Sequence, residues 1–291
     1  MSSEVEAPSP TFRQRGYVRL KRLLFLVAST YLAALLVMFS LEHKLIFPAP
    51  RYPAGDWEPA GLQFEDVYFV AADGTQLHGW YLDHPAPKAY VLYNHGNGEH
   101  VAYLAPLLEQ LRDDLNVSVF AYDYRGYGRS EGAPSEEGVL ADGRAAHAWL
   151  ADRTGVQPAN IVLMGRSLGG AVAIDLATTT GPRGLVLEST FPSMPDVAAQ
   201  VYWWAPVRLL MRTRLNSAEK IRNYTGPLLQ SHGMNDEIIP IALGRKLYDA
   251  AASTNKQLIE MPRLGHNDWP SPQYYAELAR FIDDLPGEPS S

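Results

Sequence analysis

The chain has 291 residues, 46% of them hydrophobic and 20% charged, which is enough apolar material for one large core and a short accessory segment. A formal net charge of -7 leaves no basic stripe to neutralise phosphates, so nucleic acid is set aside as a partner. The absence of cysteine excludes disulfides, thiolate zinc sites and cysteine nucleophiles, and fits reducing and oxidising compartments equally.

Residues 23–41 carry no charged side chain and include Leu24, Phe25, Val27, Leu35, Leu36, Val37 and Phe39. As a helix rising about 1.5 Å per residue, this run spans roughly 28 Å. Arg13, Arg15, Arg19, Lys21 and Arg22 precede it, whereas Glu42 and Lys44 follow. That bias places a basic segment, 1–22, in the cytoplasm, makes 23–41 a transmembrane signal anchor, and sends the rest of the chain to the periplasmic, extracellular or lumenal side. A cleaved signal peptide and a buried core helix are the alternatives. The run is long for a signal-peptide core, and no clean Ala-x-Ala site follows it.

Pro48, Pro50, Pro53, Gly55, Pro59 and Gly61 forbid a regular helix, so 42–61 reads as a stalk and 62–284 as the globular domain. Within the domain, 67–70 and 77–82 are β-rich runs around the turn pair Asp73 and Gly74, an antiparallel hairpin. Short apolar runs then recur at 90–93, 117–122, 161–164, 185–187, 228–231 and 257–261, in the manner of buried parallel strands. Helical candidates at 103–111, 139–150, 170–177, 243–252 and 274–282 separate them as crossovers would. The expected fold class is α/β, a mostly parallel doubly wound sheet opened by an antiparallel hairpin. Residues 192–216, with Tyr202, Trp203, Trp204 and Met211, interrupt the alternation as an insertion, and 285–291 reads as a disordered tail.

Gly165, Arg166, Ser167, Leu168 and Gly169 form Gly-x-Ser-x-Gly between an apolar strand and a small-residue helix. The pentapeptide alone is weak, since a chain of this length holds one by chance with a probability on the order of 0.1. Its context gives it meaning. A serine on a sharp strand-to-helix turn projects its hydroxyl away from the sheet, and small neighbours let that turn approach adjacent strands. The N–H of Leu168 then lies at a helix N-terminus, where negative charge is favoured. The alternative is a glycine-rich helix start with no chemistry.

A serine nucleophile needs a base. His232 and Gly233 end the strand at 228–231, and the following loop holds Asp236 and Glu237; Gly265, His266 and Asn267 follow the last strand. Of eight histidines, only His266 follows both the serine and the acid in chain order. The expected catalytic residues are Ser167 as nucleophile, His266 as general base and Asp236 as its orienting acid. Glu237 stays open as a substitute for Asp236, and Asp236 as a mere helix cap. The run Asn94, His95, Gly96, Asn97, Gly98 at a strand end suits an oxyanion donor, the N–H of Asn97 alongside that of Leu168. A metal reading of His95 with Glu99 and His100 lacks complementary ligand spacing, so no metal and no cofactor are expected.

These segments, together with Asp123, Tyr124, Arg125, Gly126, Tyr127, Gly128, Arg129 and Ser130, resemble the α/β-hydrolases over roughly residues 45–281. Within that family they are similar to the membrane-tethered branch that includes lysophospholipid lipases and protein depalmitoylases. The resemblance implies a serine esterase, lipase or thioesterase, a scaffolding role for the loop after Asp123, a structural one for Glu188, Ser189 and Thr190, and a short lid at 192–216. The anchor and the aromatic insertion, with Tyr202, Trp203, Trp204 and Met211 suited to contact a fatty chain or the bilayer interface, point to a lipid-like or acylated ester substrate. The alternatives are a carboxylesterase of small soluble esters, a serine peptidase, and a non-catalytic membrane-tethered binding module.

Overall fold

The computed structural model describes residues 12–287. Residues 1–11 of the basic segment and 288–291 of the tail lie outside the described residues. The first helix, α1 (Phe12–Ile46), begins well before the uncharged run and outlasts it. Its stretch Arg19–Ile46 is long and apolar enough to cross a membrane, and none of its most apolar window is buried.

From His43 onward the described residues form a second compact unit. The stretch expected as a stalk belongs to it: Phe47 and Trp57 are buried, and backbone bonds run from Gly128 N–H to Pro50 O at 2.8 Å and from Tyr52 N–H to Gly128 O at 3.0 Å. Proline and glycine exclude a helix here, but they do not prevent an extended segment from burying its aromatics.

The hairpin β1 (Glu65–Val70) and β2 (Gln76–Leu82) opens the sheet, followed by β3 (Ala89–Asn94), α2 (Ala105–Leu115), β4 (Val117–Asp123) and α3 (Glu136–Thr154). Next come β5 (Ile161–Arg166), α4 (Leu168–Thr180) and β6 (Gly184–Glu188). The inserted segment folds as α5 (Met194–Val201) and α6 (Val207–Leu210), and α7 (Ser217–Lys220) leads into β7 (Leu228–Gly233). The chain closes with α8 (Ile241–Ala250), β8 (Lys256–Met261) and α9 (Pro272–Asp283). The strands lie in the order β1-β2-β4-β3-β5-β6-β7-β8. β2 pairs antiparallel with β1 and β4, and every pair from β4 to β8 is parallel.

Alternation along the strands divides the core in two. Val91, Tyr93, Val162 and Met164 face α2 and α9, whereas Leu92, Ile161, Leu163 and Leu187 face α3 and α4. Serine caps set the starts of two helices: Ser135 Oγ accepts Gly138 N–H at 3.0 Å before α3, and Ser271 Oγ accepts Tyr274 N–H at 3.3 Å before α9. The right-hand half of the sheet therefore delivers the carboxyl ends of β3, β5, β7 and β8 to one edge, where loops of such sheets hold ligands.

The insertion is tied down by polar contacts and by Val207 and Leu215, which are buried, while other apolar side chains face solvent. Glu136 accepts the N–H groups of Arg214 and Leu215, and Lys246 pairs with Asp196 at 2.7 Å. Val201, Trp203 and Leu209 remain 62%, 82% and 79% exposed. At the tail, Leu285 is buried and Pro286 O accepts Arg183 Nε at 3.1 Å, so order extends past the expected boundary at 285.

Candidate active site

Ser167 sits between β5 and α4 at φ 51° and ψ -114°, a backbone conformation L-residues rarely adopt. Its own N–H donates to Glu188 O at 2.9 Å, and Thr190 Oγ1 donates to its carbonyl at 2.8 Å. The glycines around it are demanded by space. A Cβ on Gly165 would stand 2.3 Å from Gly169 O, and one on Gly169 would stand 1.9 Å from Asn94 O. The turn is thus pressed against the loop after β3, which leaves Ser167 8% exposed and Leu168 as the first residue of α4.

At the end of β3, Asn94 is held inside the sheet, donating to Met164 O at 2.9 Å and accepting Tyr122 Oη at 2.8 Å. The Asn97 side chain is pinned from both sides: Nδ2 donates to Ile46 O, and Oδ1 accepts Tyr127 Oη at 2.7 Å. Gly98 follows at φ +77°. Tying down the amide in this way fixes the path of the backbone through Asn97, the residue expected to offer its N–H.

On the far loops, Asp236 and His266 meet, with His266 Nδ1 donating to Asp236 Oδ2 at 2.7 Å. The other carboxylate oxygen, Oδ1, accepts the N–H groups of Ile238 at 2.9 Å and Ile239 at 2.7 Å. Asp236 therefore turns its own loop and orients the imidazole at the same time, while Glu237 is exposed. Burial opposes ionisation of Asp236. Hydrogen bonds from His232, His266 and Ile239 N–H outweigh it and hold the carboxyl well below the usual carboxylate range. Among the described residues no hydrogen bond joins Ser167 Oγ to the imidazole. The serine turn reaches the histidine loop through Arg166, whose Nη2 donates to His266 O at 2.6 Å. A cavity of about 270 Å³ opens beside His266, bounded by Asn235, Ile238 and Arg263.

Three participants escape the motif logic. His232, at the end of β7, donates through Nε2 to Ile239 O at 2.7 Å and lies 3.4 Å from Asp236 Oδ2. Glu188 is buried beneath the serine turn, where desolvation raises its carboxyl pKa against the hydrogen bond from Tyr274 Oη and the charge of Arg166. Arg166 was visible only as the variable position of the pentapeptide. His95, Glu99 and His100 do not converge: Glu99 pairs with Arg166, His95 lies against Tyr124, and His100 is stacked between Trp57 and Tyr103. Among the described residues no three His, Asp or Glu side chains are placed to hold a metal ion.

Residues 85–216 match the family Hydrolase_4, described as serine aminopeptidase, S33. The α/β hydrolase domain-containing protein WAV2 of Arabidopsis thaliana is 31% identical over 262 residues, 81% of this chain and 83% of WAV2. The membrane protein YNL320W of Saccharomyces cerevisiae is 29% identical over 240 residues, 79% of this chain and 84% of its own length. The esterase Pf2001 of Pyrococcus furiosus superposes with a TM-score of 0.67 at 21% identity, covering 82% of this chain and 97% of the esterase.

Proposed function

Since the chain belongs to the α/β-hydrolase family that includes WAV2, we propose that it is a membrane-anchored serine hydrolase that cleaves carboxylic ester or thioester bonds through Ser167, His266 and Asp236. The observation that carries this reading is the 2.7 Å bond between His266 Nδ1 and Asp236 Oδ2, made by the loops after β8 and β7. The carboxyl end of β5, at the same edge of the sheet, carries Ser167 on its strained turn.

The chemistry is acyl transfer. Nε2 of His266 takes the Ser167 proton as Oγ attacks the carbonyl carbon, and the oxyanion is received by the N–H groups of Leu168 and Asn97. Collapse breaks the bond to the leaving alcohol or thiol, which takes the proton from the imidazolium. Water, giving a proton to the same imidazole, then attacks the acyl carbon; the bond to Ser167 Oγ breaks, Oγ takes that proton back, and the acid is released. Asp236 fixes the tautomer and stabilises the imidazolium without accepting its proton. Serine–histidine contacts that are long in a free enzyme tighten in the substrate complex.

The exposed Val201, Trp203 and Leu209 of the insertion and the membrane-length helix support a lipid-like or acylated substrate, as in the lysophospholipid lipases and depalmitoylases the chain resembles. The name of the yeast relative supports membrane attachment. The basic residues before the helix support a cytoplasmic N-terminus with the hydrolase domain on the opposite side. The S33 match favours amide cleavage as the second reading.

A fluorophosphonate probe tests the mechanism: the wild-type chain is labelled and Ser167→Ala is not. Equal labelling of the two refutes the nucleophile. Turnover on a series of p-nitrophenyl esters of increasing chain length, beside an aminoacyl p-nitroanilide, separates lipid-like esters from small esters and amides. Topology is read with Glu109→Cys, the sole thiol in the chain, reacted in intact cells with a membrane-impermeant maleimide. Labelling places the domain outside, and protection until lysis reverses the assignment.

A further inference from the structure

One charged pair joins the three loops of the site. Arg166 Nη1 lies 2.5 Å from Glu99 Oε1, and Arg166 Nη2 donates to His266 O at 2.6 Å and to Asn267 Oδ1 at 3.1 Å. Glu99 Oε2 in turn accepts Gly96 N–H at 2.8 Å. The serine turn, the loop that carries Asn97 and the loop that carries His266 are thereby bonded through two side chains, each about one-fifth exposed.

We propose that Arg166 and Glu99 are a positioning pair that sets the His266 loop and the 94–98 loop in register with Ser167. This rests on the Ser167–His266–Asp236 reading. Both side chains act through the loops they bond, not through the reacting atoms. The planar guanidinium offers two forks at once, one to a carboxylate and one to a backbone carbonyl, which a lysine ammonium at the same position cannot span. The pair is needed because the three loops leave different strands, β3, β5 and β8, and no hydrogen bond from Ser167 Oγ holds the imidazole in place. Asp236 fixes the direction of the imidazole from behind, while Arg166 fixes the height of the His266 backbone above the serine turn. Displacements near 1 Å at such distances cost roughly 100-fold in rate.

The test uses the full chain in detergent, with p-nitrophenyl butyrate turnover, fluorophosphonate labelling and thermal unfolding measured on each variant. Arg166→Gln and Glu99→Gln each lower kcat roughly 30-fold and leave KM within about 2-fold, because the acyl site is intact but mis-set. The double variant loses little more than either single one, as expected of two groups acting as a unit. Arg166→Lys restores the unfolding temperature and the link to Glu99, yet keeps a reduced kcat. Wild-type kcat in folded Arg166→Gln, additive losses in the double variant, or full kcat in Arg166→Lys each overturn the pair. Should Arg166→Gln fail to fold, Glu99→Gln and Arg166→Lys decide alone. A wild-type chain that neither turns over the ester nor takes the probe overturns the functional reading itself, and the pair with it.

Discussion

A histidine–aspartate pair within the sheet and another on the loops at its edge differ in almost every respect that matters for chemistry. His78 of β2 faces Asp123 of β4 across the antiparallel ladder, with Nδ1 2.9 Å from Asp123 Oδ2 and both side chains wholly inaccessible. Its other nitrogen, Nε2, lies 2.7 Å from Asp66 Oδ1, and Trp57 and Tyr68 pack on the ring. Asp123 is equally committed, accepting Val101 N–H at 2.8 Å and Arg129 N–H at 3.3 Å. His266 instead uses one nitrogen on Asp236, stands in a loop, and has a side chain that is 9% exposed. A short bond between imidazole and carboxylate is therefore no mark of catalysis. A base needs its second nitrogen uncommitted and a route for substrate to reach it, whereas a ring clamped between carboxylates holds strands together.

Mutation can break this contrast. The largest effect expected is from His266→Ala, with kcat down by about 10³- to 10⁶-fold and an unchanged unfolding temperature. His78→Ala should do the reverse, lowering the unfolding temperature while the folded fraction keeps its kcat. A His78 variant that is stable but inactive would erase the distinction. Asp236→Asn should cost on the order of 10⁴-fold in kcat, through the wrong imidazole tautomer. Asp123→Ala should cost about 3 kcal/mol of stability by urea unfolding, since it strands His78 and two backbone N–H groups, with little change in KM.

The smallest expected effect concerns the buried acid beneath the serine turn. Burial raises the Glu188 carboxyl pKa in the folded state, so the folded chain holds its proton to higher pH than the unfolded one does. Stability then falls as pH rises from the ordinary carboxylate range through the folded value. Glu188→Gln should match the wild type at pH 4 and unfold at a higher temperature at pH 8. A wild type that gains on the variant as pH rises would show that the carboxylate is stabilised there instead.

The sheet was legible because its strands are short apolar runs bounded by turn residues, and each of those runs became a strand between β3 and β8. Chain order placed Asp236 and His266 on loops that do meet. What could not be read was made by tertiary contact. Arg166 lies 67 residues from Glu99 and 100 from His266 in sequence, so its role as a link has no local signature. His232 was passed over as a strand-end residue, although it stands within reach of Asp236. The proline count before residue 62 spoke to backbone conformation and was silent on whether Phe47 and Trp57 would be buried. At the second helix, Pro106 and a 3₁₀ turn at Val101–Tyr103 delay the α-helical start to Ala105.

Both backbone groups of Ser167 are spoken for by the segment leaving β6: its N–H by Glu188 and its carbonyl by Thr190. The Ser167 hydroxyl consequently inherits its location from a neighbouring ribbon. Were β5 to slide along β6 by a single residue, Arg166 would no longer oppose Glu188, and side chains along the slipped strand would exchange faces. Under the proposed mechanism, fidelity of strand alignment during folding is thus a condition of reactivity, and a misaligned conformer would be inert even with every side chain chemically intact.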